Sequence, residues 1–75
     1  MSHDAQAGLE EAVKAAGGQA ALAREIGLTR QAVNQWLRKL GGVPPEWVDD
    51  VERVTGVRRE VLRPDIFGRR SRSVA

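Results

Sequence analysis

The chain has 75 residues, no cysteine and one histidine, and its 12 Lys+Arg against 10 Asp+Glu give a formal net charge of +2. That length holds one domain with a marginal core, burying only about 60% of its unfolded surface; disulfides and thiolate zinc sites are excluded. The lone His3 cannot assemble a site needing about four ligands, so no metal or other cofactor is expected.

Four or five short helices are predicted. The first runs from about Ala5 to Ala16, with Asp4 as N-cap, Gly17 and Gly18 as stop, and Leu9, Ala12, Val13 and Ala16 as one apolar stripe. The second runs from about Gln19 to Ile26 and ends at Gly27. The third spans about Arg30 to Leu40, with Thr29 as N-cap and Gly41–Gly42 as stop. The fourth begins at Pro44–Pro45, where proline suits a first helical turn, and stops at Gly56. A short fifth helix, about Arg58 to Arg63, ends before Pro64. Val and Ile nowhere alternate cleanly with polar residues, so no strand is expected. Residues 68–75 form a basic, Ser-rich tail without apolar periodicity, predicted to be disordered. The expected organisation is an all-α domain over 5–67 followed by that tail.

Charge is unevenly spread. Residues 1–18 carry a net −2, residues 19–42 a net +3, residues 43–56 a net −3 and residues 57–75 a net +4. Ten of the twelve cations are arginine, the side chain suited to phosphate and guanine. A modest net charge with a basic segment is the footprint of a nucleic-acid-binding face.

The diagnostic stretch is 19–38. Two helices joined by a tight turn must nearly touch, and each residue here has a place in that geometry. Ala23 supplies a small side chain at the crossing, and Gly27 can take a positive φ where the first helix ends abruptly. Leu28 fills the corner and Thr29 caps the next helix, while Leu22, Ile26, Val33, Trp36 and Leu37 close the core. The conjunction predicts a helix-turn-helix.

This segment resembles the helix-turn-helix of lambda-repressor-like, Cro/CI-type DNA-binding proteins. The similarity extends to small prophage-associated regulators of the YdaS type, which carry Gly-Gly-Gln-Ala-Ala-Leu-Ala, Gln-Ala-Val-x-x-Trp-Leu and Leu-Arg-Pro-Asp-x-Phe. This chain has all three, at Gly17–Ala23, Gln31–Leu37 and Leu62–Phe67. The resemblance covers roughly residues 7 to 67. It implies a compact four- to five-helix lambda-repressor-like domain that binds operator DNA as a transcriptional regulator of prophage or plasmid type. Proteins of this type are often labelled antitoxins, which implies a toxin protein as an alternative partner.

The recognition face follows from periodicity alone. With Arg30 at zero and roughly 100° per residue, Val33, Trp36, Leu37 and Leu40 fall at about 300°, 240°, 340° and 280°, a core stripe. Arg30, Asn34, Arg38, Gln31 and Gln35 lie nearly opposite, and no acid interrupts them. Amides pair with adenine N6/N7 and guanidinium with guanine O6/N7. Arg30, Gln31, Asn34 and Gln35 are therefore the expected base contacts, and Gln19, Thr29, Arg38 and Lys39 the expected phosphate contacts. Trp36 falls on the core stripe, and Trp47 precedes Val48, Val51 and Val54, so neither is expected to stack on bases.

The apolar bulk of Val48, Val51, Val54, Val57, Val61, Leu62, Ile66 and Phe67 exceeds what one face of so small a core absorbs. Part of that segment is expected to form a homodimer contact. No Gly-rich phosphate loop, nucleophile elbow or His-based constellation is present. The carboxylates at Glu10, Glu11, Asp49, Asp50 and Glu52 sit among solvated helix positions, so no enzyme is expected. No apolar run approaches the ~20 residues of a membrane span. The Met-Ser-His-Asp start lacks the pattern of an export signal, so the protein is expected to be cytoplasmic.

Overall fold

The computed structural model describes residues 3–68, so the expected tail from Arg69 onward lies outside the described residues. Five α-helices follow in chain order: α1 (His3–Ala16), α2 (Gln19–Ile26), α3 (Arg30–Gln35), α4 (Val48–Thr55) and α5 (Arg59–Leu62). A π-helical turn, Trp36–Leu40, prolongs α3; a 3-10 turn, Pro45–Trp47, leads into α4; a second π turn, Pro64–Gly68, follows α5. Among the described residues there is no strand.

Helix α1 begins at His3, so Asp4 lies within its first turn instead of capping it. The stripe on α1 is buried as its spacing requires: Leu9 and Ala12 are fully enclosed, with Val13 and Ala16 packed at the margin.

The α2–α3 corner forms by local chemistry. Gly27 ends α2 in the left-handed region at φ 81°, which an L side chain rarely adopts. The Leu28 amide then reaches back to the Ala23 carbonyl at 2.8 Å. Thr29 is extended, and its Oγ1 accepts from the Ala32 amide at 3.2 Å, satisfying one of the free donors at the start of α3. Ala23 is buried at the crossing and Leu28 packs against the core edge.

Leu22, Val33 and Trp36 enter the core, joined by Val43, Val48, Val51, Val57 and Leu62. Trp36 is 5% exposed and its ring centroid stands 6.3 Å from that of Trp47, tilted by 39°. The buried Trp36 cannot serve as a stacking platform for bases, and Trp47 packs half-buried against the core.

Two expectations change here. Leu40, assigned to the core stripe, is 58% exposed. The π turn holds more residues per revolution than an α turn, so the residues after Gln35 lag behind the 100° step and Leu40 swings outward. The apolar surplus in the C-terminal third is also smaller than its composition suggests. Val48, Val51, Val57 and Leu62 are buried within the monomer, and Val54 and Phe67 pack against the core, leaving Val61 and Ile66 exposed. Helix α5 is shorter than expected, and the chain resumes helical turns at Pro64, which needs no amide partner.

Candidate nucleic-acid interface

Helix α3 turns Val33 and Trp36 inward, which fixes what it turns outward. Arg30, Gln31, Gln35, Arg38 and Lys39 are exposed, as is Thr29 at the cap. Asn34 is half-buried because it leans on α2: its Nδ2 donates to Oε1 of Gln19 at 3.2 Å. Sequence reasoning placed Asn34 among base contacts and Gln19 among phosphate contacts. The structure joins them into one amide pair.

That pair is a ridge between two open grooves. One is lined by Gly17, Gly18, Ala20, Ala21, Arg30 and Gln31 together with Gln19 and Asn34. The other is lined by Gln6, Glu10, Val13, Leu37 and Arg38, again with Gln19 and Asn34. The second groove brings in residues that periodicity could not find. Gln6 and Glu10 belong to α1, and the Glu10 carboxylate accepts from Gln6 Nε2 at 3.5 Å. The stripe on α3 is free of acids, but the surface around it contains one. A carboxylate on such a face can accept from cytosine N4 and repels phosphate elsewhere.

The distribution of ion pairs separates the two basic segments. Among the described residues, Arg24, Arg30, Arg38 and Lys39 take part in no ion pair. All four arginines between Val43 and Gly68 do. Arg59 is the most committed. Its Nε and Nη2 reach Glu52 Oε1 at 3.0 and 2.8 Å, and Nη2 also meets Asp49 Oδ1 at 2.7 Å. Glu52 Oε2 accepts from the Arg59 amide at 3.2 Å, acting as a remote cap for α5. The Arg59 guanidinium lies 5.6 Å from the Phe67 ring centroid, within cation–π range. Hydrogen bonding from Arg59 holds the Glu52 carboxyl below its ordinary range, against the opposing effect of burial.

Arg63 pairs with Asp65 at 2.7 Å and donates to the Val43 carbonyl at 2.8 Å. The Arg63 hydrogen bond likewise lowers the Asp65 carboxyl. Of the +4 counted over residues 57–75, the described part, residues 57–68, carries only +1, and Asp49, Glu52, Glu60 and Asp65 pair with its three arginines.

An all-helical domain with a capped helix-turn-helix, and unpaired cations and amides on its second helix, belongs to the helix-turn-helix class. Residues 9–71 match the family described as bacterial toxin YdaS, and the chain belongs to that family. It is 45% identical over 60 residues to the Gene 30 protein of Enterobacteria phage phi80, covering 79% of this chain and 82% of that one. It is 41% identical over 59 residues to a protein of Escherichia coli strain K12 provisionally named a transcriptional regulator, YdaS. That match covers 76% of this chain and 60% of the relative, so the chain spans less than two thirds of the longer protein. No solved structure is a significant match. Among the described residues no helix is long and apolar enough to cross a membrane.

Proposed function

We propose that this protein is a sequence-specific double-stranded DNA-binding transcriptional regulator, not a catalyst, that lays the helix beginning at Arg30 into the major groove. One observation carries the reading. Arg30, Arg38 and Lys39 are free of ion pairs and share the exposed face of α3 and the turn that prolongs it with Gln31 and Gln35, whereas the described cations of the C-terminal third are neutralised. Unpaired guanidinium and amide groups keep their hydrogen-bonding capacity for base edges and phosphates. The name of the Escherichia coli relative supports a regulatory role.

Arg30, Gln31, Asn34 and Gln35 read bases in this proposal, and Gln19, Thr29, Arg38 and Lys39 meet phosphates. A single module of this kind covers only about 600–1,000 Å² on DNA. Operator affinity then calls for a homodimer on a two-fold site, with half-sites about 10–10.5 base pairs apart or a multiple of that. Val61 and Ile66 are the exposed large apolar residues of the C-terminal segment among the described residues, and Leu40 is exposed as well.

The test is selection of bound duplexes from random DNA, followed by titration against salt. A defined consensus is expected, with affinity falling steeply as salt rises through counterion release. Failure to enrich any duplex would refute the proposal. The description of the family as a toxin supports a second reading, in which the chain acts through a protein target in the cell. Growth arrest on expression that persists when Gln31 and Arg30 are replaced by alanine would favour it.

A further inference from the structure

The groove between α1 and the end of the α3 segment holds two opposite charges that do not pair. Gln6, Glu10 and Val13 stand at i, i+4 and i+7 on α1 and line it together with Leu37 and Arg38. Glu10 is exposed, as is Arg38, and neither takes part in an ion pair among the described residues. The hydrogen bond that Glu10 accepts from Gln6 Nε2 is long, at 3.5 Å, and comes from a neutral amide, so it leaves the charge standing. Among the described residues Glu10 is the one acid in either groove flanking α3. The C-terminal third is different: there Asp49, Asp50, Glu52, Glu60 and Asp65 each pair with an arginine.

Sequence-independent binding to DNA comes from cations on phosphates, and sequence preference from contacts to base edges. Here the two are set apart along the helix. Arg30 and Gln31 open α3, whereas Arg38 and Lys39 are adjacent in the turn that prolongs it, beside the groove that holds Glu10. A duplex without matching bases has nothing to hold it at Arg30 and Gln31, and settles on the adjacent cations. Resting on the proposal that α3 enters the major groove, we infer that Glu10 is a specificity-determining residue that acts by repulsion: its carboxylate beside Arg38 disfavours the phosphate backbone of duplexes that lack the base contacts. A matched duplex is anchored by its bases, which fix the path of its backbone past Glu10. An unmatched one lodges against Arg38 and Lys39 only by approaching the carboxylate. Specificity is a difference between two affinities, and a charge that lowers the wrong one widens it.

The experiment compares the full chain with its variants E10Q and E11Q. Glu11 is exposed on the same helix, about 100° round it from Glu10, and lines neither groove flanking α3. Both variants remove one negative charge, so the difference between them isolates its position. Affinities are titrated at one fixed salt concentration for a duplex selected by the parent and for an unrelated duplex of the same length. E10Q is expected to bind the unrelated duplex about 2- to 5-fold more tightly than E11Q does, the effect of one charge acting over several ångströms in water. It is expected to gain less on the selected duplex, so its ratio of selected to unrelated affinity falls below that of both the parent and E11Q. Equal gains by E10Q and E11Q on the unrelated duplex would show that net charge alone matters and would overturn the inference. Equal gains by E10Q on both duplexes would overturn it as well, since nothing is then discriminated. Weaker binding of E10Q to the selected duplex would make Glu10 an attractive contact to a base, such as cytosine N4, and would also overturn it. A parent that enriches no sequence refutes the DNA-binding proposal itself, and this is seen before either variant is compared.

Discussion

Replacing Gly8 by alanine sets two effects against each other. Gly8 lies inside α1 and is buried where that helix crosses the chain at Val61 and Leu62. A Cβ built there would stand 2.0 Å from the Val61 carbonyl oxygen, 2.8 Å from its carbon and 2.9 Å from Leu62 Cα. All three are backbone atoms, so no rotamer change relieves the clash, and α5 must move by at least about 1 Å to restore ordinary contact. Leu62 is fully buried on that short helix, and a gap of about 0.5–1 Å forfeits a quarter to a half of each contact it makes. Displacing it, and overpacking the crossing, costs roughly 2–4 kcal/mol. Alanine gains about 1 kcal/mol over glycine in helix propensity. The net loss is about 1–3 kcal/mol, a fall in Tm of roughly 4–24 °C for a domain of this size. Thermal unfolding followed by far-UV circular dichroism reads it. A Tm equal to or above that of the parent would show propensity prevailing and the helix contact looser than described, refuting the reasoning.

Ala23→Leu tests the α2–α3 crossing in the same way: the buried site has no room for three further carbons, and about 1–3 kcal/mol of destabilisation is expected in chemical denaturation. Acid weakens the C-terminal network. The Glu52 and Asp65 carboxyls lie below their unfolded values of 4.5 and 3.8, so their contribution is complete above those values and is lost as pH falls through the lowered ones. The stability of Glu52→Gln should therefore fall less than that of the parent below about pH 4.5, and parallel curves would contradict the role given to Arg59. Gln31→Ala should cost about 1–3 kcal/mol of discrimination at particular base positions without changing Tm, measured by duplex competition.

The helix-turn-helix was legible in the sequence because its determinants act over three to five residues. Gly27 ends α2, Thr29 caps α3, and helical spacing turns Val33 and Trp36 inward, all through backbone preferences that a linear reading captures. From these, the exposure of Arg30, Gln31, Gln35 and Arg38 follows without knowledge of the rest of the molecule. What the sequence left open depends on how helices dock. Nothing in the pattern of α1 announces that Gly8 touches the backbone at Val61, or that Glu10 joins the groove beside Arg38. Gln19 and Asn34 are 15 residues apart, and only the packing of α2 on α3 brings their amides together. The arginines of the C-terminal third looked like a basic surface in a charge count. Their partners, such as Asp49 for Arg59 at ten residues' distance, are supplied by the fold of α5 against α4. The exposure of Leu40 arises from a π turn that periodicity cannot foresee, because the 100° rule assumes the α-helical step that this segment abandons.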